Sequence, residues 1–125
     1  MIAQYEDASR NTLLDAPRQY GISQAHKHLP EMVKVCGLNK SPVFCPIVAD
    51  YYAGMEVTIT LHSDQLNGSM KDLKECYANY YHDGLIYFTE QDAFDEKGFI
   101  SAGAFAGRDD LEISVFGNDE RILLV

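Results

Sequence analysis

From Met55 to Leu61 the chain alternates. Met55, Val57, Ile59 and Leu61 are apolar, and Glu56, Thr58 and Thr60 between them are polar. Side chains along a strand point to opposite faces in turn, so this spacing dictates a β-strand with one buried face. A strand cannot bury a face alone, so the fold must supply neighbours and a cover. The preceding run, Val43–Tyr52, also reads as a strand. Pro46 interrupts it and places it at an edge or a bulge, because proline has no N–H for the ladder. Gly54 closes that run, and the short connection predicts an antiparallel pair.

The rest of the chain fits around this pair. Ala3–Ser9 reads as a short helix and Asn11–Pro17 as irregular chain. Asn67-Gly68 is a turn, Ser69 a helix N-cap, and Asp72 completes a weaker form of the capping box. Met70, Leu73, Tyr77, Tyr80 and Tyr81 recur at helical spacing, which predicts an amphipathic helix running to about His82 and ended by Gly84. Its tyrosines read as core and rim packing. Leu85–Thr89 is a short strand, and Glu90–Lys97 an acidic loop or a fragment of helix. Leu111–Phe116 alternates as a strand, Gly117–Glu120 is a hairpin turn, and Arg121–Val125 is its partner strand. The sum is an α+β chain with a single domain over residues 1–125. Its sheet is mixed, mostly antiparallel, of about five strands, with helices on one face. The chain finishes on the apolar strand Arg121–Val125, which is expected to need covering by further protein. The sequence therefore reads as a piece excised from a larger protein.

The charge narrows the partners. The formal net charge is −9, and the ten basic residues are scattered. Nucleic acid and anionic membranes call for a basic patch, so neither is an expected partner. No stretch approaches the roughly 20 apolar residues of a membrane span, and the N-terminus has no signal-peptide character. Cys36, Cys45 and Cys76 match no zinc spacing. Their apolar contexts predict buried, reduced thiols, which suits the cytoplasm. Ala102–Arg108 resembles a glycine-rich phosphate loop only superficially, because no strong strand precedes it and no helix follows.

The densest chemistry lies in His26-Lys27-His28-Leu29-Pro30-Glu31, ahead of Met32, Val33, Val35 and Cys36. Pro30 suits the first turn of a helix and pushes Leu29 into extended chain. The segment therefore reads as extended from His26 to Leu29 and helical from Pro30 to Cys36, with Gly37 as the stop. Extended chain puts His26 and His28 on one side. Glu31 in the first turn suits the positive end of the helix dipole. Three roles stay open for the imidazoles: hydrogen-bonded structural residues, ligands of a metal, or an acid–base pair.

With these residues in view, the chain resembles the N-acetyl-gamma-glutamyl-phosphate reductase family. The likeness rests on His26-Lys27-His28-Leu29-Pro30-Glu31, the Phe44-Cys45-Pro46 run, the Gly54-Met55 step and the terminal strand, and it extends over nearly the whole chain. It implies an NADP(H)-dependent oxidoreductase of arginine biosynthesis that reduces an acyl phosphate to a semialdehyde. It also implies that this chain is most of the catalytic and dimerisation domain, similar to the C-terminal domain of glyceraldehyde-3-phosphate dehydrogenase. The cofactor domain, with its Gly-x-Gly-x-x-Gly fingerprint, and the nucleophilic cysteine in its Gly-Cys-Tyr context would lie elsewhere. None of Cys36, Cys45 and Cys76 matches that context. The acid–base role carries over to His26 first and His28 second, with Glu31 orienting the segment. No cofactor or metal is expected on these residues themselves. The expected partners are a small acyl phosphate and a second copy, through the sheet. Many family members carry an arginine where this chain has Ala53, which leaves the anion clamp unassigned. The competing readings are a freestanding homodimerising module without catalysis and a small metal-binding domain.

Overall fold

The structure is a computed structural model that describes residues 2–90 and 97–125. The chain divides into two compact units, residues 1–51 and 52–125. Most of the segment read as acidic loop or helix fragment, residues 91–96, lies outside the described residues.

The first unit holds helix α1 (Ile2–Glu6), a 3-10 turn (Thr12–Asp15), strand β1 (Arg18–Gln19), helix α2 (His28–Cys36) and strand β2 (Ile47–Val48). Helix α1 is shorter than the predicted Ala3–Ser9. The stretch read as irregular contains the 3-10 turn, which Asn11 caps by accepting the Leu13 N–H. Leu14 and Leu29 are its buried apolar side chains. Arg10 ties the unit together. Its guanidinium donates to the Tyr5 carbonyl at 2.8 Å and pairs with Asp15 and Asp50, each at 2.6 Å.

The predicted strand Val43–Tyr52 shrinks to Ile47–Val48, and it pairs antiparallel with β1 instead of with the strand after Gly54. Two causes lie in the sequence. Pro46 has no N–H to donate. The Phe44 N–H and carbonyl are both taken by the Gln24 side chain, at 2.9 and 2.8 Å, so they are spent outside any ladder.

The second unit holds β3 (Ile59–His62), helix α3 (Met70–Tyr80), β4 (Ile86–Phe88), β5 (Leu111–Ile113), β6 (Val115–Gly117) and β7 (Arg121–Leu124). Strand β7 is central to an antiparallel sheet in the order β3-β7-β6. Strands β4 and β5 form a separate parallel pair. The fold is a mixture of helices and mainly antiparallel sheet, but among the described residues its strands make three small sheets instead of one of about five strands. Ser114 explains part of the split. It breaks the predicted Leu111–Phe116 strand in two, and its N–H and carbonyl pair with Val125, at 2.8 and 2.9 Å. Residues before it pair with β4 and residues after it with β7, so one apolar run serves two sheets. Val115 and Ile122, at 2% and 1% exposed, are the buried centre of this unit.

The predicted strand Met55–Leu61 is also shortened. Strand β7 offers partners only to Ile59–His62, so Met55–Thr58 run past the ladder. The face expected to be buried is open instead: Met55, Val57 and Ile59 are 76%, 56% and 48% exposed. Gly54 starts this segment at φ +117° against the Ala102 carbonyl, where a β-carbon does not fit. The three cysteines are corrected in the same direction. Cys36, Cys45 and Cys76 are exposed free thiols, because each falls on the outward side of its helix or loop instead of in a core.

Helix α3 follows its predicted start. Ser69 Oγ accepts the Asp72 N–H, while the Ser69 N–H and O–H donate to the Asp72 carboxylate at 2.7 Å. The helix ends at Tyr80, two residues short of the predicted His82, and packs against β4 and β6. Tyr77 lies between Tyr81 and Phe88, with ring centroids 5.7 and 6.3 Å away, and burial pushes its phenol up. Tyr80 points away and is 75% exposed.

The cap makes an acid-sensitive prediction. Hydrogen bonds from Ser69 hold the Asp72 carboxyl below its ordinary 3.8. A depressed carboxylate stabilises the fold above its unfolded pKa, and that contribution is lost as pH falls through the folded value. Ser69→Ala costs about 1 kcal/mol near neutral pH. The gap in melting temperature between wild type and variant, followed by circular dichroism, narrows as the pH is lowered beneath 3.8.

Candidate functional site

The site is built in the first unit by the turn that leads into α2. Gly21 at φ +63° lies against His26 and Pro46, and its carbonyl accepts the Gln24 N–H at 3.0 Å. Gln24 itself sits at φ +56°, a left-handed conformation that costs energy for a non-glycine residue. The two hydrogen bonds from its side chain to the Phe44 backbone hold it there. The chain is thereby aimed so that the His26 ring enters a cage of rings. Tyr20 and Phe44 present edges to it, with centroids at 5.6 and 5.2 Å, and the His28 ring lies at 4.8 Å.

The structure corrects the expected extended approach. His28 and Leu29 are the first residues of α2, and the two imidazoles meet because His26 folds back over the helix start. A helix leaves the N–H groups of its first turn without partners. Here His26 supplies two. Its carbonyl accepts the Leu29 N–H at 3.1 Å, and its Nδ1 accepts the His28 N–H at 3.2 Å. Pro30, in the first turn, has no N–H to satisfy. Gly37 closes the helix as predicted, at φ +63°.

These bonds assign the tautomers. His26 Nδ1 accepts, so in the neutral ring the proton sits on Nε2. His28 does the opposite. Its Nδ1 lies 2.6 Å from Glu31 Oε2, one helical turn on. A carboxylate only accepts, so His28 carries a proton on Nδ1, and in the neutral ring its Nε2 bears the lone pair. One ring therefore offers an N–H and the other a base, side by side. The His28 and Glu31 side chains are half to two-thirds exposed, at 46% and 65%, so their pair is worth well under about 1 kcal/mol of stability. Its consequence is orientation.

Sequence reasoning singled out His26, His28 and Glu31, which the structure brings together, and missed the frame around them. Nothing in its spacing marks Gln24, whose role depends on a backbone conformation and on the backbone of Phe44, 20 residues away. The one available signal was Gly21, a residue that suits a turn at positive φ.

Other candidates stay apart. No two of the three thiols form a disulfide. Among the described residues no three His, Cys, Asp or Glu side chains are placed to hold a metal. Residues 101–108 form consecutive tight turns in which Ala104, Ala106 and Arg108 donate their N–H groups to carbonyls three residues back. Those three amides are spent internally. Among the described residues no helix is long and apolar enough to cross a membrane.

The model of the semialdehyde dehydrogenase dimerisation domain matches residues 3–125, across both units, and the chain belongs to that family. Curated relatives carry a more particular name. The chain is 31% identical over 123 residues to an N-acetyl-gamma-glutamyl-phosphate reductase of Sinorhizobium medicae, which covers 95% of this chain and 40% of the relative. It is 32% identical over 124 residues to the Rhizobium rhizogenes protein of the same name, covering 94% and 39%. An N-acetyl-gamma-glutamyl-phosphate reductase 2 of Nostoc is 32% identical over 106 residues, covering 80% and 33%. The chain thus spans 40% or less of the length of these relatives. No solved structure matches it.

Proposed function

We propose that this chain is the catalytic and dimerisation domain of a longer N-acetyl-gamma-glutamyl-phosphate reductase, a cytoplasmic NADP(H)-dependent enzyme of arginine biosynthesis. Both units belong to that one domain in this reading, and the family match that runs through both supports it. The architecture expected by resemblance is that of the C-terminal domain of glyceraldehyde-3-phosphate dehydrogenase. In this reading the cofactor and the nucleophilic thiol belong to other parts of the parent. The cofactor supplies hydride when bound there.

The observation that carries the proposal is the opposed pair of tautomers at the start of α2. Acyl transfer to a thiol and reduction of the resulting thioester need a group that takes a proton and a group that donates one. His28 accepts at Nε2, and Glu31 at Nδ1 holds the ring in that tautomer and stabilises the imidazolium that forms. His26 presents Nε2–H, suited to hydrogen-bond a developing oxyanion. The division gives the base to His28, with His26 as donor and Glu31 as a positioning residue.

In the parent reductase, His28→Gln is expected to lower kcat by about 10²–10⁴-fold, the usual contribution of a positioned acid or base. Stopped-flow following of NADPH absorbance reads this directly. Turnover unchanged by His28→Gln would remove the acid–base role and favour the module without catalysis.

The homo-oligomer is part of the same proposal. Among the described residues strand β3 is an edge, and the apolar row Met55, Val57 and Ile59 that leads into it is exposed. A second copy laid against this row would bury it. Val57→Lys is then expected to shift the sedimentation coefficient from dimer to monomer with the circular dichroism unchanged. A dimer that survives the substitution places the interface elsewhere.

A further inference from the structure

Strands β1 and β2 set Arg18 opposite Val48 and Gln19 opposite Ile47. One rung further, the Tyr20 N–H still donates to the Pro46 carbonyl at 3.0 Å. In an antiparallel pair every second rung is the one that exchanges hydrogen bonds. The next such rung after Tyr20 and Pro46 would set Ile22 against Phe44, but the chain leaves the ladder before it. Gly21 and Gln24 take positive φ, +63° and +56°, and Ile22 is 78% exposed. The Phe44 N–H and carbonyl then face the place that a backbone would have taken. The Gln24 side chain fills it. Its Nε2 donates to the Phe44 carbonyl at 2.8 Å, and its Oε1 accepts the Phe44 N–H at 2.9 Å. A carboxamide carries the same donor and acceptor as a peptide group, so it completes the rung in place of main chain.

This side-chain rung acts on one ring from two directions. It holds Gln24 in the left-handed conformation that turns the chain toward His26, two residues on. It also fixes Phe44, whose ring edge meets His26 at 5.2 Å. Tyr20, on the last backbone rung, supplies the other edge at 5.6 Å. So placed, His26 reaches the start of α2, where its Nδ1 accepts the His28 N–H. We infer that Gln24 is a positioning residue: by standing in for a peptide group beside Phe44, its carboxamide places the His26 ring and keeps the proton of that ring on Nε2. This rests on the proposed reading of His26 as a hydrogen-bond donor in an acyl-phosphate reductase. Within that reading Gln24 touches no reacting atom and acts through His26.

The test uses the full-length parent reductase labelled with ¹⁵N-histidine, in two variants. Gln24→Gly takes the positive φ without strain and deletes the carboxamide. Gln24→Glu keeps the length and sets a carboxylate oxygen against the Phe44 carbonyl, where an N–H had donated. Both are expected to keep the circular dichroism spectrum. Both are expected to lower kcat by about 10–10²-fold with KM little changed, as displacement of a positioned group does. In both, the fixed Nε2–H pattern of His26 is expected to give way to averaging between tautomers, while His28, held by Glu31, keeps its own. A purely structural Gln24 would lower the melting temperature and leave the His26 pattern and the turnover of folded enzyme unchanged, and that result overturns the inference. A His26 pattern that survives both variants overturns it at any turnover. An altered pattern with wild-type kcat, in a parent that His28→Gln slows, overturns it too. The reductase reading fails on a different readout, full turnover of His28→Gln, and the His26 pattern then still decides whether Gln24 places the ring.

Discussion

A helix begins with N–H groups that nothing in the helix can satisfy, and here an imidazole answers one of them. His26 Nδ1 accepts the His28 N–H where most helices use serine, threonine or aspartate. Much follows from that bond. It fixes the start of α2 two residues earlier than proline alone would place it. It holds the His26 ring among Tyr20, Phe44 and His28. It also leaves His26 with its proton on Nε2, so the ring cannot serve as a base without breaking the cap. In the proposed reading the basic role passes to His28, whose tautomer Glu31 sets in the opposite sense. One structural bond thus separates two chemically identical side chains into a donor and an acceptor.

A second constraint shapes the sheets. Strand β7 is the only strand paired on both sides among the described residues, and Ile122 on it is the most buried large side chain. It is four residues long, so it can pair four residues of β3 and no more. The alternating segment upstream is left extended and apolar with nothing on it. Such a row is tolerable only if something covers it, which is why a domain whose family is described by dimerisation makes physical sense of Met55, Val57 and Ile59.

Much of this was legible in the residues. Ser69 with Asp72 gave the start of α3, because a cap is local chemistry. Gly37 gave the end of α2, and the hairpin at Gly117–Glu120 was readable for the same reason. Pairing was less legible. The run Val43–Tyr52 alternates poorly, and its partner is β1, a two-residue strand that no period could reveal. Leu111–Phe116 looks like one strand because its apolar pattern is continuous, yet Ser114 hands it from one sheet to another. Burial misled at the cysteines, since an apolar neighbourhood in sequence does not say which side of a helix a residue takes. At the candidate site, motif spacing singled out His26, His28 and Glu31, which lie together. Their division of labour needed the hydrogen bonds, and these depend on Gln24 in a conformation its residue type does not announce.

The central claim is the opposed protonation of two neighbouring imidazoles, and long-range ¹H–¹⁵N correlation of the histidine rings tests it most directly. At a pH where both rings are neutral, His26 is expected to show its proton on Nε2 and His28 its proton on Nδ1. Glu31→Gln is expected to disturb the pattern of His28 and leave that of His26 in place. The same tautomer on both rings, or rapid averaging between the two forms in each, would contradict the cap and the base alike.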